Sequence, residues 1–489
     1  MKHVLSFILK LLLFILSFAL IELNRNTLAG FVLTALLIGA YLYLDRELLK
    51  GNGLLLSCVL LIGYLALFAG IVLLTWPPVR NVPAVDVKNP VRTEIIETGY
   101  GKVRGVYNED QTVEVYAGIP FAKPPVGDLR WKEPQDPDKW DGILEADRFA
   151  PMSMQETDLP IISSLTRIIG FHDYKITLKD NYIPPVSEDS LYLNIWKPSG
   201  KQEKLPVLVY IHGGSLQTGQ PWYQDYNGES LAKEGIVFVT LTYRLGVFGF
   251  YADEQLAAES PHHSTGNYGL LDMIKALEWV KDQIALFGGD PGNITVAGES
   301  AGSASVSALC TSPLAKGLFR RVVLESSTVA PVDPPHSFRS YRDAIDSGNR
   351  LKNEYGVADV EEFRKLDAKQ IVSAAASQHH MTVDGYVLEE NPYQSYMKGL
   401  HNEEAILHGY NAEEGGPFLL FTRTDRKSYE ERIRSYFREY ADQVLELYPA
   451  DTDEEAKNSW AQIYSAIYFT YPHYCLNRLA VRNDIPVYE

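Results

Sequence analysis

Cysteine is scarce: three residues in 489, Cys58, Cys310 and Cys475. They are widely separated and show no metal-ligand spacing, so neither a disulfide framework nor a zinc site is expected, and no cofactor is called for. Positive charge is also short, with 45 lysines and arginines against 62 acidic residues and a net charge of −17. A nucleic-acid backbone binder needs a basic stripe, and none is visible, which excludes nucleic acid as a partner. Beyond residue 90 there is no internal repeat and no low-complexity segment.

Apolar sequence, by contrast, is concentrated at the amino terminus. Residues 4–23, 28–44 and 54–76 are three apolar runs, each near the ~17 to 25 residues that cross a bilayer as a helix. Three such runs with short polar breaks predict a three-span anchor in membrane lipid, retained rather than cleaved, because no small-residue cleavage pattern follows Leu20. Lys2, Lys10, Arg46 and Lys50 would share one side, against Arg25 and Arg80 on the other. The positive-inside tendency then puts the amino terminus in the cytoplasm and everything after the third span outside. Trp76-Pro77-Pro78 stops the last helix, since proline cannot continue one. The expected organisation is an anchor over residues 1–78, a linker over 79–90 and one globular domain over 91–489.

The chemistry centres on residues 287–302, F-G-G-D-P-G-N-I-T-V-A-G-E-S-A-G. A β-branched run, Ile294-Thr295-Val296-Ala297, leads into Gly298-Glu299-Ser300-Ala301-Gly302, and a small-residue, helix-compatible segment follows. In a G-x-S-x-G turn between strand and helix the serine sits on a strained elbow with its hydroxyl exposed above the sheet. Ser300 is therefore the candidate nucleophile.

Upstream, a buried-looking strand over residues 205–211 ends in His212-Gly213-Gly214-Ser215. Attack on an ester carbonyl places negative charge on its oxygen, and N–H groups of a glycine-rich turn can be aimed at that charge. Downstream, an apolar stretch at 405–410 runs into Asn411-Ala412-Glu413-Glu414-Gly415. A serine hydroxyl needs a histidine to take its proton and a carboxylate to stabilise the imidazolium. Glu414 is the carboxylate the position favours, although acidic loop residues are mostly solvated surface. Strands alternating with helices predict a mostly parallel sheet covered on both faces, with Gly213, Ser300 and the segment after Ile406 at strand carboxyl ends. The exceptions are a glycine-spaced hairpin over residues 91–107, continued by 113–116, and a proline-rich loop over 118–127.

These motifs, with Leu129-Arg130-Trp131, residues 187–194, Tyr243-Arg244-Leu245-Gly246, Asn267-Tyr268-Gly269 and Asp384-Gly385, resemble the type-B carboxylesterase and lipase family. The resemblance covers residues 91–489 and implies the α/β-hydrolase fold. It implies a serine hydrolase acting on small carboxylic esters, with Ser300 as nucleophile, Glu414 as triad acid, and the N–H groups of Gly214, Ser215 and Ala301 as oxyanion hole. Ser215 stands where the family often has a third glycine, and its side chain is expected to tighten the acyl site. Ser190 stands where many members have cysteine, and its partner cysteine is missing around residues 152–155, so that family disulfide cannot form. No tryptophan occurs between Trp140 and Trp196, where choline-binding relatives carry one, so choline esters are not expected. Trp222, Tyr223, Phe418 and Phe421 are expected near the mouth, and residues 428–479 read as amphipathic covering helices.

The family histidine lies well downstream of the acid, beyond a strand whose start resembles Ile485-Pro486-Val487-Tyr488. Only His473 follows Glu414, in what the resemblance makes an ordinary helix; His212 is expected to organise its loop, and His379, His380 and His408 carry no motif. The expectation is a domain lacking its last strand and histidine loop, and impaired in ester hydrolysis, or else a non-catalytic binding relative on the same fold.

Overall fold

The computed structural model describes residues 2–24, 26–48, 54–76, 82, 84–157, 185–200, 203–222, 224–372, 378–419 and 422–489. Contacts divide the chain into two compact units: Met1–Pro83 with Thr157–Pro185 and Tyr223–Asp225, and Ala84–Glu156 with Val186–Trp222 and Tyr226–Glu489.

In the first unit the three apolar runs become helices α1 (Lys2–Leu23), α2 (Leu28–Leu48) and α3 (Leu54–Leu74). Leucine, isoleucine, phenylalanine and alanine without internal proline favour helix throughout. Several of their polar groups are satisfied internally: Ser17 Oγ bonds Tyr64 OH at 2.8 Å, and Asn26 Nδ2 donates to Val72 O and Thr75 Oγ1, each at 2.8 Å. Their leucines meanwhile face outward, as at Leu16, Leu36, Leu55 and Leu74. That inversion suits a lipid environment. Among the described residues, two stretches, Leu28–Glu47 and Leu55–Leu74, are long and apolar enough to cross a membrane. Of the three expected spans, these two are candidates by length and composition. α1 carries Lys10 within its length, ion-paired to Asp45 of α2.

The second unit is built on a nine-stranded sheet. Its strands in chain order are β1 (Val106–Tyr107), β2 (Val113–Pro120), β3 (Tyr192–Pro198), β4 (Leu205–Ile211), β5 (Val237–Leu241), β6 (Gly289–Glu299), β7 (Arg321–Glu325), β8 (Ala405–Gly409) and β9 (Val487–Tyr488). Across the sheet they run β9-β8-β7-β6-β4-β5-β3-β2-β1. The pairings from β9 to β5 are parallel, and those joining β5, β3, β2 and β1 are antiparallel. β5 is buried at every position, as an interior strand covered on both faces must be.

This order locates the site. The chain steps from β4 to β5 in one direction and then returns past β4 to β6. Because parallel crossovers are right-handed, that reversal puts successive helices on opposite faces and opens a crevice between the carboxyl ends of β4 and β6. Helix α4 (Tyr268–Gln283) enters β6, and helix α5 (Ala301–Leu309) leaves it.

Two local expectations are corrected. Residues 96–97 and 102–104 do pair antiparallel, but with Ile143–Glu145 they form a separate three-stranded sheet. Gly118-Ile119-Pro120, expected in a loop, closes β2: the register shifts between Tyr116 and Ile119, and Pro120 is the strand's last residue, where a missing N–H is tolerated.

Ser153 and Ser190 meet where the resemblance would put a cystine. Their hydroxyl oxygens lie 3.0 Å apart, and Ser153 Oγ also donates to Tyr243 O at 2.7 Å. A buried hydroxyl pair thus ties the two segments together by hydrogen bonds. The double substitution Ser153→Cys, Ser190→Cys is expected to oxidise to a disulfide and raise Tm, read by non-reducing mass spectrometry and calorimetry. Persistence of two free thiols after oxidation would show that the pair is not placed as described.

Candidate active site

β6 ends at Glu299, Ser300 takes φ 53° and ψ −123°, and α5 begins at Ala301. That is the sparsely populated elbow conformation, held because the Ser300 N–H donates to Glu325 O at 2.9 Å. The flanking glycines are required by space. A Cβ on Gly298 would lie 2.6 Å from the Gly302 carbonyl carbon, and one on Gly302 would lie 2.1 Å from Ile211 O. The nucleophile turn is therefore seated directly on the end of β4.

The oxyanion candidate follows from the same strand. A Cβ on Gly213 would lie 3.1 Å from Ser300 Cβ and 2.7 Å from Glu299 O, so the two motifs touch. Gly214, Ser215 and Leu216 all have positive φ, at 107°, 57° and 58°. The turn is locked by Gln217 N and Thr218 N donating to Gly214 O, each at 3.0 Å, and by Gly246 N donating to Leu216 O at 2.7 Å. Among the described residues the N–H groups of Gly214, Ser215 and Ala301 have no hydrogen-bond partner. His212 does what was expected of it: its Nδ1 lies 2.8 Å from Gly213 O, its ring stacks on Tyr243, and burial pushes its pKa down to about 4. Gln155, which no motif singled out, braces the far end through paired bonds with Gly219 at 2.8 and 2.9 Å.

Glu414 follows β8. Its Oε1 accepts from Ser326 Oγ at 2.6 Å, Asn411 N at 2.9 Å and Asn411 Nδ2 at 3.1 Å. Ser326 was missed from the sequence. It has φ 59° at the end of β7, and its N–H reaches Gly409 O at 2.8 Å, tying the β7 and β8 ends together. The available signal was position alone, a serine directly after an apolar strand.

Burial is the main cause that raises the Glu299 carboxyl, to about 7, with Glu414 and then Glu325 adding repulsion. Glu299 Cα also pairs with Glu325 Cα across β6 and β7. The elbow is thus ringed by carboxylates.

Several of the described histidines are engaged elsewhere. His408 on β8 and His473 on a helix over Tyr471–Arg482 face one another, Nδ1 to Nδ1 at 3.1 Å, and burial lowers both pKa values, His473 to about 3. His379 and His380 lie ring to ring at 4.3 Å. His336, another residue missed, contacts Ser327 Oγ at 3.5 Å and Ser337 Oγ at 3.0 Å. Among the described residues neither Ser300 nor Glu414 is hydrogen-bonded to an imidazole. Of the expected mouth aromatics, Trp222 stacks on Phe149 and donates to Ala150 O at 3.1 Å, a packing role. Phe418 is 57% exposed. Tyr223 and Phe421 lie outside the described residues.

Comparison with known proteins agrees with this geometry. The profile of the carboxylesterase family matches residues 92–488. The fumonisin B1 esterase of Sphingopyxis macrogoltabida is 36% identical over 387 residues, covering 75% of this chain and 65% of that protein. The chain therefore spans about two thirds of that relative's length. The para-nitrobenzyl esterase of Bacillus subtilis is 32% identical over 376 residues, 74% of this chain and 72% of that one. The solved structure of the Geobacillus stearothermophilus carboxylesterase EST55 matches with TM-score 0.67 at 33% identity, over 81% of this chain and 79% of that one. With its elbow, glycine loop and Glu414 at strand ends of an α/β-hydrolase sheet, the chain belongs to the carboxylesterase family.

Proposed function

We propose that the protein is a membrane-anchored serine hydrolase that cleaves carboxylic esters through an acyl-serine intermediate. The observation that carries this reading is the contact of Gly213 with the Ser300 elbow, which aligns a strained nucleophile with a loop of unpartnered N–H groups. As Ser300 Oγ bonds the carbonyl carbon, negative charge collects on the carbonyl oxygen. The N–H groups of Gly214, Ser215 and Ala301 are the donors assigned to it. The alcohol leaves, the acyl group stays on Ser300, and water then releases the acid. Glu414, fixed by Ser326 and Asn411, is assigned as the carboxylate that stabilises the charged base.

The proton of Ser300 needs an acceptor. The lack of an imidazole bonded to Ser300 or Glu414 among the described residues favours a second reading, in which residues 1–489 alone hydrolyse esters slowly. The scale is then the roughly 10³ to 10⁴ over water left to binding and the oxyanion hole. No specific observation favours a purely binding module.

Anchoring rests on the outward-facing leucines of α2 and α3. The side on which the globular unit lies depends on parity: three crossings, counting α1, place it outside the cytoplasm, and two return it to the side of residue 1.

Three outcomes are expected. Ser300→Ala should remove hydrolysis of a p-nitrobenzyl ester measured spectrophotometrically; an unchanged rate would refute the assignment. The full chain should sediment with membranes and resist alkaline carbonate, whereas release into the supernatant would remove the anchor. Glu299→Gln should raise Tm at pH 8 and leave it unchanged near pH 4. The sign follows from the raised carboxyl: between the ordinary value of 4.5 and about 7 the folded state holds a proton that the unfolded chain has lost, so this group's stabilisation fades as pH rises through that window. Equal Tm differences at the two pH values would contradict it.

A further inference from the structure

The covering helices near the end of the chain do more than cover, because they grip the loop that carries Glu414 at both of its ends. One grip is His408 against His473. His408 is the residue of β8 just before Gly409, and His473 lies on the helix over Tyr471–Arg482. Both rings are buried, their Nδ1 atoms stand 3.1 Å apart, and neither Nε2 has a hydrogen-bond partner among the described residues. Two lone pairs would repel at that distance, so one Nδ1 carries the hydrogen and the other accepts it. Burial lowers both pKa values, which keeps the pair neutral at neutral pH. This one bond is the polar anchor of both rings.

The second grip is at the far end of the loop. Gly415 N donates to Ser465 Oγ at 2.8 Å, and that hydroxyl donates onward to Ala461 O at 2.9 Å. The approach requires glycine, since a Cβ on Gly415 would lie 2.6 Å from Ala461 O. Ser465 ends a helix over Asp453–Ser465, and a π-helical turn over Ala466–Thr470 joins it to the helix that bears His473. On an unbroken α-helix the eight residues from 465 to 473 would turn through roughly 800° and leave the two side chains about 80° apart. A π turn closes i→i+5 bonds and takes up one residue more, which brings them to within about 20° of one another. The irregular turn is what lets one helical segment hold both ends of one loop.

Glu414 is held between the grips. Directly after His408, Gly409 O accepts from Ser326 N at 2.8 Å, and Ser326 Oγ donates to Glu414 Oε1 at 2.6 Å. Tyr410 follows, its ring 5.3 Å from that of His473. Asn411 then donates to the same Oε1 through N at 2.9 Å and Nδ2 at 3.1 Å. All three donors depend on where residues 409–411 sit, so the aim of the carboxylate depends on the anchoring of His408.

We propose that His408 and His473 are positioning residues: together with the Ser465 grip, their imidazole pair clamps residues 409–415 and so aims the Glu414 carboxylate. This deepens the reading of Glu414 as the acid that serves Ser300, and rests on it. Hydrogen exchange read by mass spectrometry on the full-length chain tests the clamp. An asparagine amide reaches where a histidine Nδ1 stands and a glutamine amide reaches toward Nε2, so His473→Asn keeps the bond whereas His473→Gln and His473→Leu lose it. In the Gln and Leu variants the amides of residues 405–419 should lose about tenfold in protection, as a buried group left unpaired implies, while those of β5 keep theirs. In the Asn variant, protection over residues 405–419 should stay within about threefold of wild type. Packing alone would make the smaller asparagine the worst of the three; that order, or full protection in the Leu variant, overturns the proposal. If the Gln and Leu variants do not fold, ring nitrogen NMR of the histidine-labelled wild type still decides, with the two rings identified by their loss in His408→Asn and His473→Asn. One ring should be the Nδ1–H tautomer and the other Nε2–H; two Nε2–H rings overturn the clamp. Failure of the wild type to react at Ser300 with a fluorophosphonate would count against the nucleophile, while exchange and tautomers would still decide for or against the clamp.

Discussion

Gly302 sits so close to the end of β4 that a β-carbon there would stand 2.1 Å from the Ile211 carbonyl oxygen. From that contact the rest of the site follows. It forces glycine at the turn, sets α5 against the sheet, and holds Ser300 at positive φ beside the loop that leaves β4. The sheet order makes the contact available, since β4 and β6 are the neighbours between which the chain reverses direction. The elbow and the glycine loop after β4 are therefore two sides of one crevice, although 84 residues separate their glycines at 214 and 298 in the chain.

The electrostatics of that crevice are anionic. Glu299, Glu325 and Glu414 come from the ends of β6 and β7 and the loop after β8, and Glu414 is bound by three donors, all on one oxygen. A buried carboxyl flanked by like charges resists ionisation, which is why Glu299 stands near 7. Positive charge arising next to these carboxylates would be stabilised there.

Much of this was legible in the sequence where the signal is local. The β-branched run before G-x-S-x-G, the apolar strand before H-G-G and the strand before Glu414 each predict an element and its chemical end, and the sheet places all three as the alternation of strands and helices requires. What escaped was non-local. Ser326 matters because a positive φ and a bond to Gly409 turn its hydroxyl toward an acid 88 positions away. His336 acquires its stacking partner only when Tyr468, 132 residues later, is folded against it. Gly118-Ile119-Pro120 read as a loop because composition was weighed without the register shift that lets a strand end on proline.

The central claim is that the elbow presents Ser300 as a reactive nucleophile. Reaction of the full chain with a fluorophosphonate, followed by peptide mapping in a mass spectrometer, tests it most directly. A single adduct on Ser300, lost on heat unfolding before labelling, is the predicted result. An adduct on another serine, or none on a chain shown by circular dichroism to be folded, would contradict it.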